Sequence, residues 1–568
     1  MPIRPRLRCL TLALALALPG AAPAFEGSAG AYLAGRHASG HSDYRAAASY
    51  YTRALIEDPR NVVLMDNAIL GFVGEGAVAR AVPIAMRLEG VGGQSQMAAL
   101  VMLAETARRG DWEKVVARLD EGTAVGPLVL GLARAWALLG EGRMSEAAGA
   151  FDDIAEGDGL QSFALYHKAL ALASVGDFEG ADAILGGEAG GPIRATRRGV
   201  LTHAQVLSQL ERNADAIELI DAVFGANPDA AIAAVRADLE AGQTLPFDTV
   251  RNAQDGLAEV FFTVASALNG ESSDTFTLVY VRLAEFLRPD FVDALLLAAD
   301  ILETQGQFDL ATEAYNKIPP GAPAYPAAEL GRADALVQAG RLEAAIEVLD
   351  QLTRSHPDLM RAWANKGDVL RRAKRYAESA RAYDEAIARL GAEEPGHWFL
   401  YYARGIAHER EKEWPEAEAD FRKALDLSPD QPQVLNYLGY SFLEMQTNLE
   451  EALEMIERAV KARPDSGHIV DSLGWAYYRL GRYDEAVEQM ERAIELMPSD
   501  SIVNDHLGDV YWAVGRKREA EFQWRRALSF EPETEEEAAR IRRKLDVGLD
   551  VVLEEEGAPP LKVVNDDG

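Results

Sequence analysis

The sequence predicts an all-α solenoid, a row of stacked antiparallel helix pairs, and three observations predict it. The stretch Asp471-Ser-Leu-Gly-Trp-Ala-Tyr-Tyr-Arg-Leu-Gly-Arg-Tyr-Asp-Glu-Ala shares its skeleton with Asp505-His-Leu-Gly-Asp-Val-Tyr-Trp-Ala-Val-Gly-Arg-Lys-Arg-Glu-Ala, 34 residues on. Pro464, Pro498 and Pro532 repeat the same spacing. Small and bulky residues recur at helical intervals throughout, and no run shows the strict alternation of a strand.

The period of 34 with Leu-Gly, an aromatic three residues on, Gly, Ala and a closing Pro resembles the tetratricopeptide repeat (TPR). That resemblance implies a TPR solenoid, a right-handed superhelix whose units bury their apolar faces against their neighbours. Fourteen units can be placed by the residue at repeat position 8: Gly35, Ile69, Leu103, Ala135, Ala169, Ala204, Ala265, Ala299, Ala333, Gly367, Gly405, Gly439, Gly474 and Gly508. Position 8 is small where the two helices of a unit approach closely. Tyr51, Phe151, Tyr315, Tyr383, Phe421 and Trp524 are expected to fill the gap between stacked units.

The step from Ala204 to Ala265 is 61 residues, nearly twice the others. Asn227-Pro228-Asp229 opens a helix there, Gly242 stops it, and Leu245-Pro246 interrupts the chain. Residues 229–256 therefore read as a degenerate repeat or a hinge between an N-terminal array, 25–228, and a C-terminal array, 257–532. Thr534-Glu-Glu-Glu537 is a capping-box pattern that opens a closing helix over 533–556. Ile541, Leu545 and Leu549 give that helix one apolar stripe, and its other face is expected to meet water. Residues 557–568 read as a disordered tail.

Residues 1–24 read as a signal peptide: Arg4, Arg6 and Arg8, a short apolar run from Leu10 to Leu18, then Ala22-Pro23-Ala24 before a cut at Phe25. Cys9, the sole cysteine, lies ahead of the apolar run, so it would leave with the signal and is misplaced for lipidation. A soluble periplasmic protein without disulfides or thiol chemistry is expected. The net charge of −33 repels nucleic acid and anionic lipid headgroups, and suits basic partners or plain solubility.

Catalytic signatures are missing from the sequence: no G-x-S-x-G elbow, phosphate loop, His-Glu-x-x-His pair or dinucleotide fingerprint. His408-Glu409 lacks a second histidine, and the nine histidines show no metal-ligand spacing. Asp505 and His506 are helix neighbours that point about 100° apart, which is no preformed acid–base pair. No enzyme and no cofactor is expected.

By the TPR resemblance the first helix of each unit lines a concave groove, chiefly through positions 2, 5, 9, 12 and 13. The groove residues of the last units are then Tyr402, Asn436, Tyr440, Asp471, Trp475, Tyr478, Asp505, Asp509 and Trp512. Amide and carboxylate groups suit the backbone of an extended peptide, and aromatic rings give rigid apolar area. Trp475, Tyr478 and Trp512 also suit packing between units, and the sequence leaves both roles open. Arg361, Arg371 and Arg372 fall at groove positions too, where they would serve a terminal carboxylate or form a solvated face.

Residues 400–530 further resemble the large exported TPR proteins of Gram-negative bacteria, on Leu435-Asn-Tyr-Leu-Gly-Tyr440, Asp471-Ser-Leu-Gly-Trp-Ala-Tyr and Asn504-Asp-His-Leu-Gly-Asp-Val-Tyr-Trp512. That family includes an adaptor lipoprotein that partners a periplasmic carboxyl-terminal processing protease. The resemblance implies a non-catalytic adaptor or scaffold that binds proteins or peptides and presents cell-wall hydrolases to such a protease. The alternative is a scaffold for envelope assembly, in polysaccharide secretion or outer-membrane biogenesis, with no protease. The missing lipidated cysteine departs from the adaptor and removes its membrane tether.

Overall fold

A computed structural model describes residues 28–122, 124–187, 196–225, 230–558 and 561. Residues 1–24, expected to be a signal peptide, with Cys9, the expected Asn227-Pro228-Asp229 helix start and most of the tail lie outside the described residues. Among the described residues the regular elements are 31 α-helices and one 3-10 turn, with no strand. The fold is a TPR-like all-α solenoid. It forms two compact units, residues 1–341 and 342–568.

Each pair turns at the same place. Seven residues after thirteen of the fourteen position-8 residues the backbone is left-handed, as at Gly142 (φ +77°) and Gly481 (φ +76°). Glycine adopts this region without a steric penalty, yet Ser42, Glu211, Lys374, Lys412 and Gln446 hold it with a side chain. The exception is the Ala265 unit, where the left-handed residue is Gly270 instead.

Small residues at position 8 are explained by what faces them. A Cβ on Gly367 would lie 2.7 Å from the Tyr383 ring, and one on Gly405 2.7 Å from Phe421. Both rings are fully buried. They sit over the glycine of their own unit, sixteen residues back, rather than only in the gap between units.

Unit 1 departs from a simple row. Ala253–Leu268 and Asp274–Leu287 form a hairpin that packs against Val62–Gly74, Gln96–Arg108, Pro127–Gly140 and Gln161–Ser174, the first helices of four earlier pairs. Leu257, Val260, Phe261, Leu278, Val281 and Leu283 are all fully buried there. Val62–Gly74 (VVLMDNAILGFVG) and Pro127–Gly140 (PLVLGLARAWALLG) carry almost no polar side, as a helix covered all round requires. Gly256 permits the closest approach: a methyl group there would overlap the buried Trp136 indole.

Trp136 Nε1 donates to His167 Nδ1 at 3.1 Å, and burial pushes the His167 pKa down to about 3. The first pair is tied in as well. Tyr44 Oη donates to Gln305 Oε1 at 2.9 Å, and Arg45 pairs with Glu313.

In unit 2 the helices pack mainly on their sequence neighbours, and the last pair meets a closing segment. Thr534 and Glu537 form the capping box, Glu535–Val547 follows, and Gly548 (φ +87°) breaks it from Leu549–Glu555.

Candidate functional site

The expected groove residues come from the first helices Trp398–Arg410, Pro432–Glu444, Gly467–Leu480 and Ser501–Ala513, all in unit 2. The structure divides them into two sets. Asp471, Trp475, Tyr478, Asp505, Asp509 and Trp512 are engaged by the chain itself, while Tyr402, Asn436 and Tyr440 keep unfilled bonding capacity.

In the engaged set, Trp475 is 7 % exposed. Its ring stacks on Tyr478 (4.7 Å, 17°) and on His506 (4.0 Å, 13°), and its Nε1 donates to Glu444 Oε1 at 2.8 Å. His506 Nδ1 lies 3.0 Å from Asp471 Oδ2. Trp475 thus packs against both neighbouring units through His506 and Glu444, and Tyr478 packs within its own.

Lys544 of the closing helix reaches both other carboxylates, with Nζ 2.8 Å from Asp505 Oδ2 and 2.7 Å from Asp509 Oδ1. The expectation that the helix's non-stripe face meets water fails at this residue, because two carboxylates draw the ammonium inward. Trp524 Nε1 also donates to Asp509, at 2.9 Å. Burial raises the Asp509 pKa despite the opposing Lys544 charge. Trp512 lies against Trp524 (5.3 Å) and donates to Asp550 at 2.9 Å.

Burial opposes a charge on His506, but Asp471, with Asp505 and Asp509 beyond it, outweighs burial and raises its pKa above 6.5. A histidine raised on folding stabilises in full below its unfolded value, and that contribution disappears as pH rises through the folded value. His167 has the opposite sign and acts only below 6.5. The melting temperature is therefore expected to fall as pH rises from about 6.5. His506→Gln, whose amide can still donate to Asp471, should fall less; parallel thermal-melt curves for the two proteins would refute the coupling.

In the remaining set, Tyr402 is half-buried against Trp398, Phe421 and Tyr437. Burial pushes its phenol pKa up, and the Arg371 charge pulls it back. Asn436 Oδ1 is buried with no hydrogen-bond partner among the described residues. Tyr440 is half-buried, and its phenol pKa is raised by burial and then by Glu444 and Asp471.

Arg371 joins this set. Its Nε is buried without a partner among the described residues, while the rest of the guanidinium bonds Tyr383 and lies 3.4 Å from Asp368. The face from Met360–Arg372 to Pro432–Glu444 therefore holds one unpaired donor and one unpaired acceptor beside two phenols. Each unpaired buried polar atom costs about 1–3 kcal/mol, which a peptide carbonyl and a peptide N–H would relieve. Among the described residues no three His, Cys, Asp or Glu could hold a metal ion, and no helix is long and apolar enough to cross a membrane.

Residues 330–395 and 472–528, 430–499, and 398–431 match profiles of the tetratricopeptide repeat. Tetratricopeptide repeats are matched between residues 330 and 528. A stretch of 183 residues is 30% identical to the TPR repeat-containing protein PA4667 of Pseudomonas aeruginosa, covering 32% of this chain and 30% of that protein. Another of 193 residues is 26% identical to tetratricopeptide repeat protein 13 of Homo sapiens, covering 33% of this chain and 22% of that one. The matches span under a third of each of these two relatives.

Among solved structures, the chain is similar to yeast Tom70 at 13% identity, with 94% of this chain and 99% of that one covered and a TM-score of 0.35. It is also similar to the APC/C hetero-tetramer Cut9–Hcn1 at 14% identity, with 92% and 96% covered and a TM-score of 0.38. TPR arrays are protein-binding scaffolds and generally non-catalytic.

Proposed function

We propose that unit 2 holds an extended polypeptide across the face that runs from Arg371 through Tyr402 to Asn436 and Tyr440. The observation that carries this reading is the pair of unpaired buried polar atoms, Arg371 Nε and Asn436 Oδ1, at groove positions of a TPR array. A backbone carbonyl satisfies the first and a backbone N–H the second, while the phenols supply apolar area.

The fuller reading is a periplasmic adaptor that presents cell-wall hydrolases to a carboxyl-terminal processing protease. Its support is the family resemblance of residues 400–530 and the signal-like residues 1–24. Holding two partners on one scaffold raises their effective concentration with no chemistry of its own.

The test compares the wild-type protein with the Arg371→Met, Asn436→Leu double variant in capture from periplasmic extract, followed by titration of each captured polypeptide. Binding should weaken at least about tenfold, or 1.4 kcal/mol, while His506→Gln retains it. Equal binding by a folded double variant would refute the groove. Capture of secretion or outer-membrane assembly factors in place of a protease would leave the groove standing and remove the adaptor role.

A further inference from the structure

Unit 1 contains a cavity that the packing of its hairpin leaves open. The Ala253–Leu268 helix lies tightly on Trp136 at its start, where Gly256 allows it. Further along it stands away from the beginning of Gln161–Ser174, and a cavity of about 510 Å³ remains. The space is a cleft that stays open to solvent on one side. A space this large falls within the range of ligand sites, about 300–1,000 Å³.

The walls are aromatic: Phe163 and Tyr166 on one side, Phe262 on the other. Half-buried Thr263 and the exposed Ser162 and Ser266 line its open side, where their hydroxyls can bond a ligand in place of water. The floor is a closed charge network. Arg198 Nε and Nη2 donate to Glu259 at 2.7 and 2.8 Å, Nη1 donates to Asp293, and Tyr166 Oη donates to Glu259 at 3.0 Å. Arg198 also lies 4.5 Å from the centre of the Phe291 ring. With Arg197 at the rim, two cations face two carboxylates, so the lining carries no net charge.

We infer that this cavity binds an uncharged, largely apolar molecule carrying one or two hydrogen-bonding groups. The aromatic walls supply contact area, the hydroxyls orient the polar group, and the neutralised floor gives an ion nothing to replace its hydration. The site belongs to unit 1 and is independent of the peptide groove in unit 2.

The test uses the uncharged fluorophore N-phenyl-1-naphthylamine with the whole protein. A saturable, blue-shifted fluorescence increase is expected. Thr263→Trp and Ser266→Trp, each placing an indole in the cavity, should weaken it at least tenfold, with unchanged far-ultraviolet circular dichroism showing that each variant is folded. Tyr440→Ala, in unit 2, should bind as wild type does. The sulfonated analogue, 1-anilinonaphthalene-8-sulfonate, should bind at least tenfold more weakly than the uncharged dye. Absence of saturable binding, or equal binding by both folded tryptophan variants, would overturn the site. Tighter binding of the sulfonate would overturn the ligand class.

Discussion

Lys544→Met is expected to destabilise unit 2 by about 3–5 kcal/mol, the usual cost of stranding a buried charge. The Lys544 side chain is fully buried, the Asp509 side chain 2% exposed and the Asp505 side chain 17%. Without the ammonium, two carboxylates face each other with little water to screen them. Arg540 compensates only in part, at 4.0 Å from Asp505 and 3.8 Å from Asp509.

The Asp509 pKa, already raised by burial in the wild type, should climb further in the variant. A carboxyl group raised on folding stabilises below its unfolded value and costs stability above it. The variant should therefore recover as pH falls through the carboxylate range. Denaturant unfolding across pH measures this, and Lys544→Met with Asp509→Asn should regain much of the loss. A single-variant loss under about 1 kcal/mol would mean that the cluster behaves as a surface pair.

Arg198→Met should cost unit 1 a similar amount, about 3–5 kcal/mol. The Glu259 side chain is 1% exposed and depends on Arg198 for both oxygens, with Tyr166 as its other donor. Asp293, at 43% exposed, contributes far less, because water solvates it once the guanidinium is gone. The burden falls on one carboxylate in the hairpin. Pairing Arg198→Met with Glu259→Gln should restore most of the stability, and hydrogen exchange of residues 253–268 should rise in the single variant only. If the two variants are equally unstable, the loss comes from the packing of Arg198 on Phe291 and not from charge.

Local features of the fold were legible because each repeat writes its own turn. The residues chosen for position 8 fixed where the backbone turns left-handed in thirteen units, including five where the turn residue is not glycine. The one mismatch is the Ala265 unit, next to the 61-residue step. What that pair does was not legible in its own periodicity, since it depends on helices up to about 200 residues away. The available signal lay in those helices: Val62–Gly74 has almost no polar side to show to water.

The same limit explains the groove. Asp471 and His506 are 35 residues apart, and only the stacking of successive helices brings them together. Lys544 reads in sequence as one more charge on a solvated face. Asn436 and Arg371 stood at groove positions from the start, but a missing hydrogen bond shows only once the surroundings of each atom are in place.

The hairpin also decides where this protein can be cut. A fragment ending before residue 253 would uncover the fully buried Trp136, on which Gly256 packs, and the faces of the four helices that the hairpin covers, apolar surface prone to self-association. A fragment must run at least through Leu287 to keep its own interior. Within residues 342–568 the helices pack mainly on their sequence neighbours, so a cut there exposes less than one that removes the hairpin.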